Sequence, residues 1–247
     1  AAMALARFDL GHVDVILNGR FQHLPLVDAS DVSSDDLLLD PVAGLFGLRF
    51  ENVEGYWALP SNRRSLAMAI DRPALLTSFP SVTAWQARQK IVPEALDVEN
   101  INARPDWAAM TMEERRAFAA ADIAEWEAAR NQIPPLRIAL PSGAGANILF
   151  LRIRSDLRAV GLDARKVAYD AESDVRLIDM IAPYDSTSWF LTRFTCDLTP
   201  ICLNDADEKM MEAAATNDLA VKARLYAEAE VLLVQHYIFI PLATPVR

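Results

Sequence analysis

Apolar and polar residues recur in two rhythms along the second half of the chain. In "LRIALP" (136–141) they alternate, and in "ANILFLRIRSDLRAVG" (146–161) apolar side chains return every three to four positions. The first rhythm predicts a strand and the second a helix that ends at Gly161. "LDARKVAY" (162–169) predicts another strand and "ESDVRLIDMIA" (172–182) another helix. "YDSTSWFL" (184–191) reads as strand-like, the stretch from about Asp205 to Gln235 as one long helix, and "YIFIPLA" (237–243) as a last strand. Such alternation implies an α/β layer with a partly parallel sheet.

The first half is less regular. The opening residues predict the end of an amphipathic helix, and "VDVILNG" (13–19) and "GLFGLRFEN" (44–52) predict two strands flanking a polar, turn-forming region at Asp28–Asp36. Ser61 or Asn62 is a candidate N-cap for a helix carrying Leu66, Met68, Ala69 and Ile70, and a second helix restarts after Asp71 with Pro73 in its first turn. Prolines at 80, 93 and 105 predict a meander from Pro80 to Trp107, an insertion or lid. Beyond it, Thr111 and Glu114 have the spacing of a capping box, opening a helix that Pro134 and Pro135 stop.

Composition adds limits to this outline. With 247 residues, 52% of them hydrophobic, the chain can bury a large core. No run approaches the roughly 18 apolar residues of a membrane span, so direct membrane insertion is not expected. Twenty-four basic against 34 acidic residues give a net charge of −10, with no Lys/Arg block, which disfavours nucleic acid. The N-terminus lacks an initiator Met and the basic and apolar regions of a signal peptide, and predicts a chain that begins part-way through a longer protein.

Candidate chemistry is sparse. His12, His23 and His236 lack partners at metal-ligand spacing, so neither a catalytic residue nor a metal or other cofactor is expected. Gly143 and Gly145 come nearest to a phosphate loop, but Ile148 stands where a third glycine belongs, and a turn with Ser142 helping to cap the next helix is favoured. Asp170, Glu172 and Asp174 read as acidic residues at a helix N-terminus. Cys196 and Cys202 have no further soft ligands for zinc, five residues between them where a redox pair usually has two, and no base nearby. A local disulfide uses both thiols, stabilises by roughly 2–3 kcal/mol in the loop-entropy model and points to an oxidising compartment; two reduced, buried cysteines are the alternative.

Several segments in order, "DLGHVDVIL", "GLFGLRFEN", "NRRSLAMAIDRPALL", "ILFLRIRSDLRAVGLDARKV", "YDSTSWFL" and "KARLYAEAEVLLVQHYIFIPLATPV", resemble the extracytoplasmic solute-binding proteins of the peptide/nickel (oligopeptide-binding, family 5) ABC-transporter class. The resemblance covers nearly the whole chain. It implies an α/β fold, the periplasmic-binding-protein-like (class II type) second lobe of a clamshell at 61–247, with residues 1–60 supplying strands to the first lobe. It further implies a small solute as ligand, an inner-membrane ABC permease as partner, and a periplasmic or otherwise extracytoplasmic location.

In the family's peptide binders a W-x-x-D motif sets an aspartate against the ligand's amino terminus. Trp189 matches the tryptophan, but Thr192 stands in the fourth position, with Asp185 or Asp197 as nearby substitutes. The resemblance thus places Trp189, Phe190, Thr192 and Arg193 at the ligand face, one of the two aromatic rings toward the cleft and the other toward the core. A buried ammonium without a carboxylate is costly, so Thr192 argues against free peptides as the main ligand. Two other functions compete with solute capture: an α/β nucleotide-dependent enzyme using the Gly143–Gly145 turn, and a sensor domain that has kept the fold and lost transport.

Overall fold

Leu45, Phe46 and Leu48 are all buried, although neighbouring side chains on a strand point to opposite faces. Their strand is therefore covered on both sides. The computed structural model describes residues 1–40, 42–52, 54–82, 85–96, 103–130 and 132–247. Along the chain come helices α1 (Ala2–Asp9) and α2 (Leu24–Asp28), strand β1 (Gly44–Phe50), then α3 (Pro60–Ala69), α4 (Arg72–Leu76) and α5 (Met112–Arg130). Strand β2 (Leu136–Ala139), α6 (Ala144–Arg158), β3 (Ala164–Val167) and β4 (Val175–Ile181) follow, and α7 (Thr187–Leu191), α8 (Asn204–Ala215), α9 (Leu219–Gln235) and β5 (Phe239–Ala243) complete it.

The five strands form one sheet in the order β3-β2-β4-β1-β5. β2 pairs in parallel with β3 and β4, while β1 runs antiparallel to both β4 and β5. Four strands thus share a direction and β1 opposes them. On β1, Gly47 lies where a Cβ would meet the Ile240 carbonyl oxygen and the Phe239 ring, so only glycine lets β5 approach this closely. Helix α3 packs against α5 and α6, α4 packs against α6 and β5, and α9 packs against α7 and α8.

Local signals explain several elements. Thr111 Oγ1 accepts from the Glu114 N–H at 3.2 Å while Glu114 accepts from the Thr111 N–H at 2.8 Å, completing the capping box of α5. Asp71 accepts from the Ala74 N–H and separates α3 from α4. Helix α3 begins at Pro60, ahead of both expected caps, because proline suits the first helical turn. Asn62 instead donates to the Tyr56 carbonyl at 2.6 Å.

Four expectations are corrected. Residues 13–19 form no strand: β1, their expected neighbour, has both edges occupied by β4 and β5. The stretch 172–182 is strand β4, not a helix: hydrogen bonding to β2 and β1 on both edges overrides a pattern that fits either period. Asp170, Glu172 and Asp174 accordingly precede a strand. "YDSTSWFL" ends in helix α7, entered through the Ser186–Ser188 hydroxyl pair at 2.8 Å. The long helix from Asp205 is two, broken at 216–218, where Asp218 caps α9 by accepting from the Ala220 and Val221 N–H groups.

In the meander from Pro80 to Trp107, residues 83–84 and 97–102 lie outside the described residues. The rest contains a short 3₁₀ turn at Glu94–Leu96 and a bridge from Ala87 to Ala243. β1, expected with the first lobe, shares its sheet with the elements expected in the second.

Candidate ligand-facing end of the sheet

Because β2, β4 and β5 run one way and β1 the other, the carboxyl ends of the three meet the start of β1 at one end of the sheet. Open α/β sheets take ligands outside the carboxyl ends of their strands, which makes this end the first place to look. Here the Ala182 N–H donates to the Ala43 carbonyl and the Asp40 N–H to the Arg247 carbonyl, each at 2.9 Å. Arg247 also reaches Asp179 on β4, with Nη1 at 2.8 Å from Oδ1. Burial raises the Asp179 carboxyl above its ordinary range, opposed by the charges of Arg247 and Arg20.

After β2, the Gly143–Gly145 turn leads into α6. Gly143 has φ +128°, and a Cβ on it would meet Gln22 at 3.1 Å. A Cβ on Gly145 would run into the Phe21 carbonyl oxygen. These glycines admit the backbone of Phe21–Gln22, which fills the space beside the turn. After β4, the loop 182–186 carries Tyr184, 60% exposed, and the exposed Asp185.

The residues singled out by the resemblance lie one step further, on α7 and the turn after it. Trp189 is 6% exposed and Phe190 fully buried, with ring centroids 5.0 Å apart and edge to face. On a helix, unlike the expected strand, adjacent residues need not point to opposite faces, and both rings join the core. The Arg193 guanidinium lies 5.5 Å from the Trp189 ring centre. Thr192 turns its hydroxyl back along the helix, donating to the Ser188 carbonyl at 2.8 Å.

Cys196 and Cys202 form the expected disulfide, with Cα atoms 5.0 Å apart. The Cys196 N–H donates to Asp207 at 2.9 Å, tying the loop to α8. His12 is exposed, and the His236 ring lies 2.9 Å from the Leu232 carbonyl. No group of three or more metal-ligating side chains occurs among the described residues. Sequence reasoning gave Tyr184 no role and Asp185 only a substitute's. Both would have stood out as the loop following a strand had 175–181 been read as β.

Solved structures share this architecture. Haemophilus influenzae OppA in complex with RPPGFSPFR superposes with a TM-score of 0.80 at 16% identity, covering 100% of this chain and 51% of that one. The Escherichia coli murein tripeptide binding protein MppA gives 0.79 at 17% identity, covering 99% and 50%. Brucella suis NikA in complex with Fe(III)-EDTA gives 0.72 at 14%, covering 98% and 53%.

The chain spans about half the length of each. The fold is therefore the α/β, periplasmic-binding-protein-like fold of these binding proteins, as the sequence resemblance implied. No family model and no curated protein sequence matches this chain.

Proposed function

We propose that this chain is the second-lobe part of a solute-binding protein that captures a small solute outside the cytoplasm and delivers it to an inner-membrane ABC permease. The observation that carries this reading is the fold, shared with binding proteins over 98–100% of the chain in the three structures above. The disulfide fits an oxidising compartment such as the periplasm. In this reading the second lobe includes β1, because β1 pairs with β4 and β5, and residues 1–40 reach toward the other lobe.

The solute then faces the carboxyl end of the sheet. Trp189 and Phe190 form the wall behind that face, with Arg193 against the Trp189 ring. Thr192 is committed to its own helix, so Asp185 is the carboxylate best placed to meet a cationic group. Native mass spectrometry of the protein purified from its own host tests the reading, a co-purified small solute being expected. Calorimetry with that solute on Asp185→Asn tests the site. An affinity that Asp185→Asn leaves unchanged removes Asp185 from the ligand face, and a protein that never carries a solute removes the function.

A further inference from the structure

Beyond the β5 edge of the sheet, the segment 86–95 faces α4 and the start of α5 across a cavity of about 530 Å³. Arg72, Arg88, Lys90, Arg104 and Arg115 line it, with Glu94 as its acidic side chain. Lys90 and Arg104 are engaged by other groups, so the charge available to a ligand comes from Arg72, Arg88 and Arg115, in a chain whose bulk charge is −10. Arg104 is held by Glu94 at 2.7 Å. Arg72, Arg88 and Arg115 have no carboxylate at ion-pair distance among the described residues.

Two of these guanidinium groups are deeply placed. Arg72 is 2% and Arg115 9% exposed, and each lies 5.3 Å from the centre of the Trp107 ring. Arg72 donates through Nε to the Pro241 carbonyl at 2.7 Å and through Nη1 to Ala67 and Ile70, while its Nη2 donates to no group among the described residues. Arg115 donates to the Met112 sulfur, and its buried Nε has no hydrogen-bond partner.

Burying like charges this close is costly, and an unmet guanidinium donor in such a place is costlier still. Arginine forks match planar and tetrahedral oxyanions in a bidentate manner, so a multiply charged oxyanion answers the charge and the open Nη2 of Arg72. The volume falls within the range of about 300–1,000 Å³ typical of small-molecule sites.

We propose that this cavity binds a small oxyanion carrying at least two negative charges, of the phosphate or polycarboxylate class, through Arg88, Arg115 and the open side of Arg72. The site lies at the sheet's β5 edge and does not depend on the solute-capture reading. Burial lowers the affinity of Arg72, Arg88 and Arg115 for their protons, helped at Arg72 by the charge of Arg115 and opposed at Arg88 by Glu94 and at Arg115 by Asp71 and Asp156, and a bound anion relieves what remains.

Isothermal titration of the chain with inorganic phosphate, citrate and acetate at constant ionic strength tests this. Saturable binding of phosphate or citrate is expected, and whichever binds more tightly identifies the phosphoryl or the polycarboxylate class. Acetate should bind about tenfold more weakly or not at all. Arg88→Gln and Arg115→Gln should each weaken the tighter anion about tenfold, whereas Arg165→Gln, on the exposed side of β3, should leave it unchanged. Arg88 is half-buried and outside every helix and strand, so its variant reads binding even where the Arg115 variant fails to fold. Heats no larger than those of chloride, or wild-type affinity in Arg88→Gln, would overturn the proposal.

Discussion

Residues 1–40 and the sheet-and-helix body after them are both rich in apolar side chains, yet they use them differently. In the body these residues form one continuous core. In the first 40, Phe21 and Leu24 are the buried residues among those described, while Leu10, Leu17 and Leu38 are 70%, 76% and 85% exposed. Hydrophobic composition alone does not produce burial; a facing surface does. The segment is moored where Phe21 meets the Phe46 ring at 5.0 Å and its backbone lies in the gap at Gly145.

The contrast can be tested by pressing on each region. Gly47→Ala strikes the body: its new Cβ on the interior strand β1 would be driven against the Ile240 carbonyl and the Phe239 ring of β5, and a loss of about 3 kcal/mol in urea unfolding is expected. A loss under about 1 kcal/mol would mean that β1 and β5 are not tightly apposed.

Asp174→Asn comes next. Asp174 accepts from the Arg137 N–H at 2.7 Å, from the Arg137 guanidinium and from Asn52, so a loss of about 1.5–3 kcal/mol at neutral pH is expected. Burial alone would raise this carboxyl, but the bonds from Arg137 outweigh it and hold it below the usual carboxylate range. A depressed folded-state value means that the stabilisation is complete above the unfolded value of about 3.9 and fades as pH falls through the lower folded one. The Asn variant should lack that limb, so its unfolding midpoint should change less with acid than that of the wild type. Parallel curves would assign acid sensitivity to other carboxylates.

Gly145→Ala should have the smallest global effect, about 1–2 kcal/mol, because its Cβ is driven against the Phe21 carbonyl, but alanine favours helix α6 and release of residues 1–40 relieves the clash. Its signature is local: proteolysis within residues 1–40 should accelerate while the body stays resistant. If it lowers global stability as much as Gly47→Ala does, segment and body are one cooperative unit and the contrast fails.

The same division marks what could be read from the residues. Helices α5 and α6 and strand β2 are legible because their signals are local: Thr111 with Glu114, the proline stop, Gly161 and the alternation of "LRIALP". β4 is not, because its strand state depends on β1, far away in sequence, and "DVRLIDMI" fits either period. Helix α7 is barely more than one turn long, and Trp189 and Phe190 favour strands intrinsically, so the local signal pointed the wrong way. The cysteine pair was legible by eliminating other uses. The 182–186 loop was obscured by the misread strand before it, and the cations around Trp107 are gathered from segments that only the fold brings together.

The position of β1 also sets an order in time. It is made well before both strands that flank it, since β4 begins at Val175 and β5 ends at Ala243. Until those residues are made, Leu45, Phe46, Leu48 and Phe50 have no sheet to enter. Closure of the sheet is therefore late relative to the synthesis of β1, and the nascent chain holds this strand unpaired while α3 to α6 are being made.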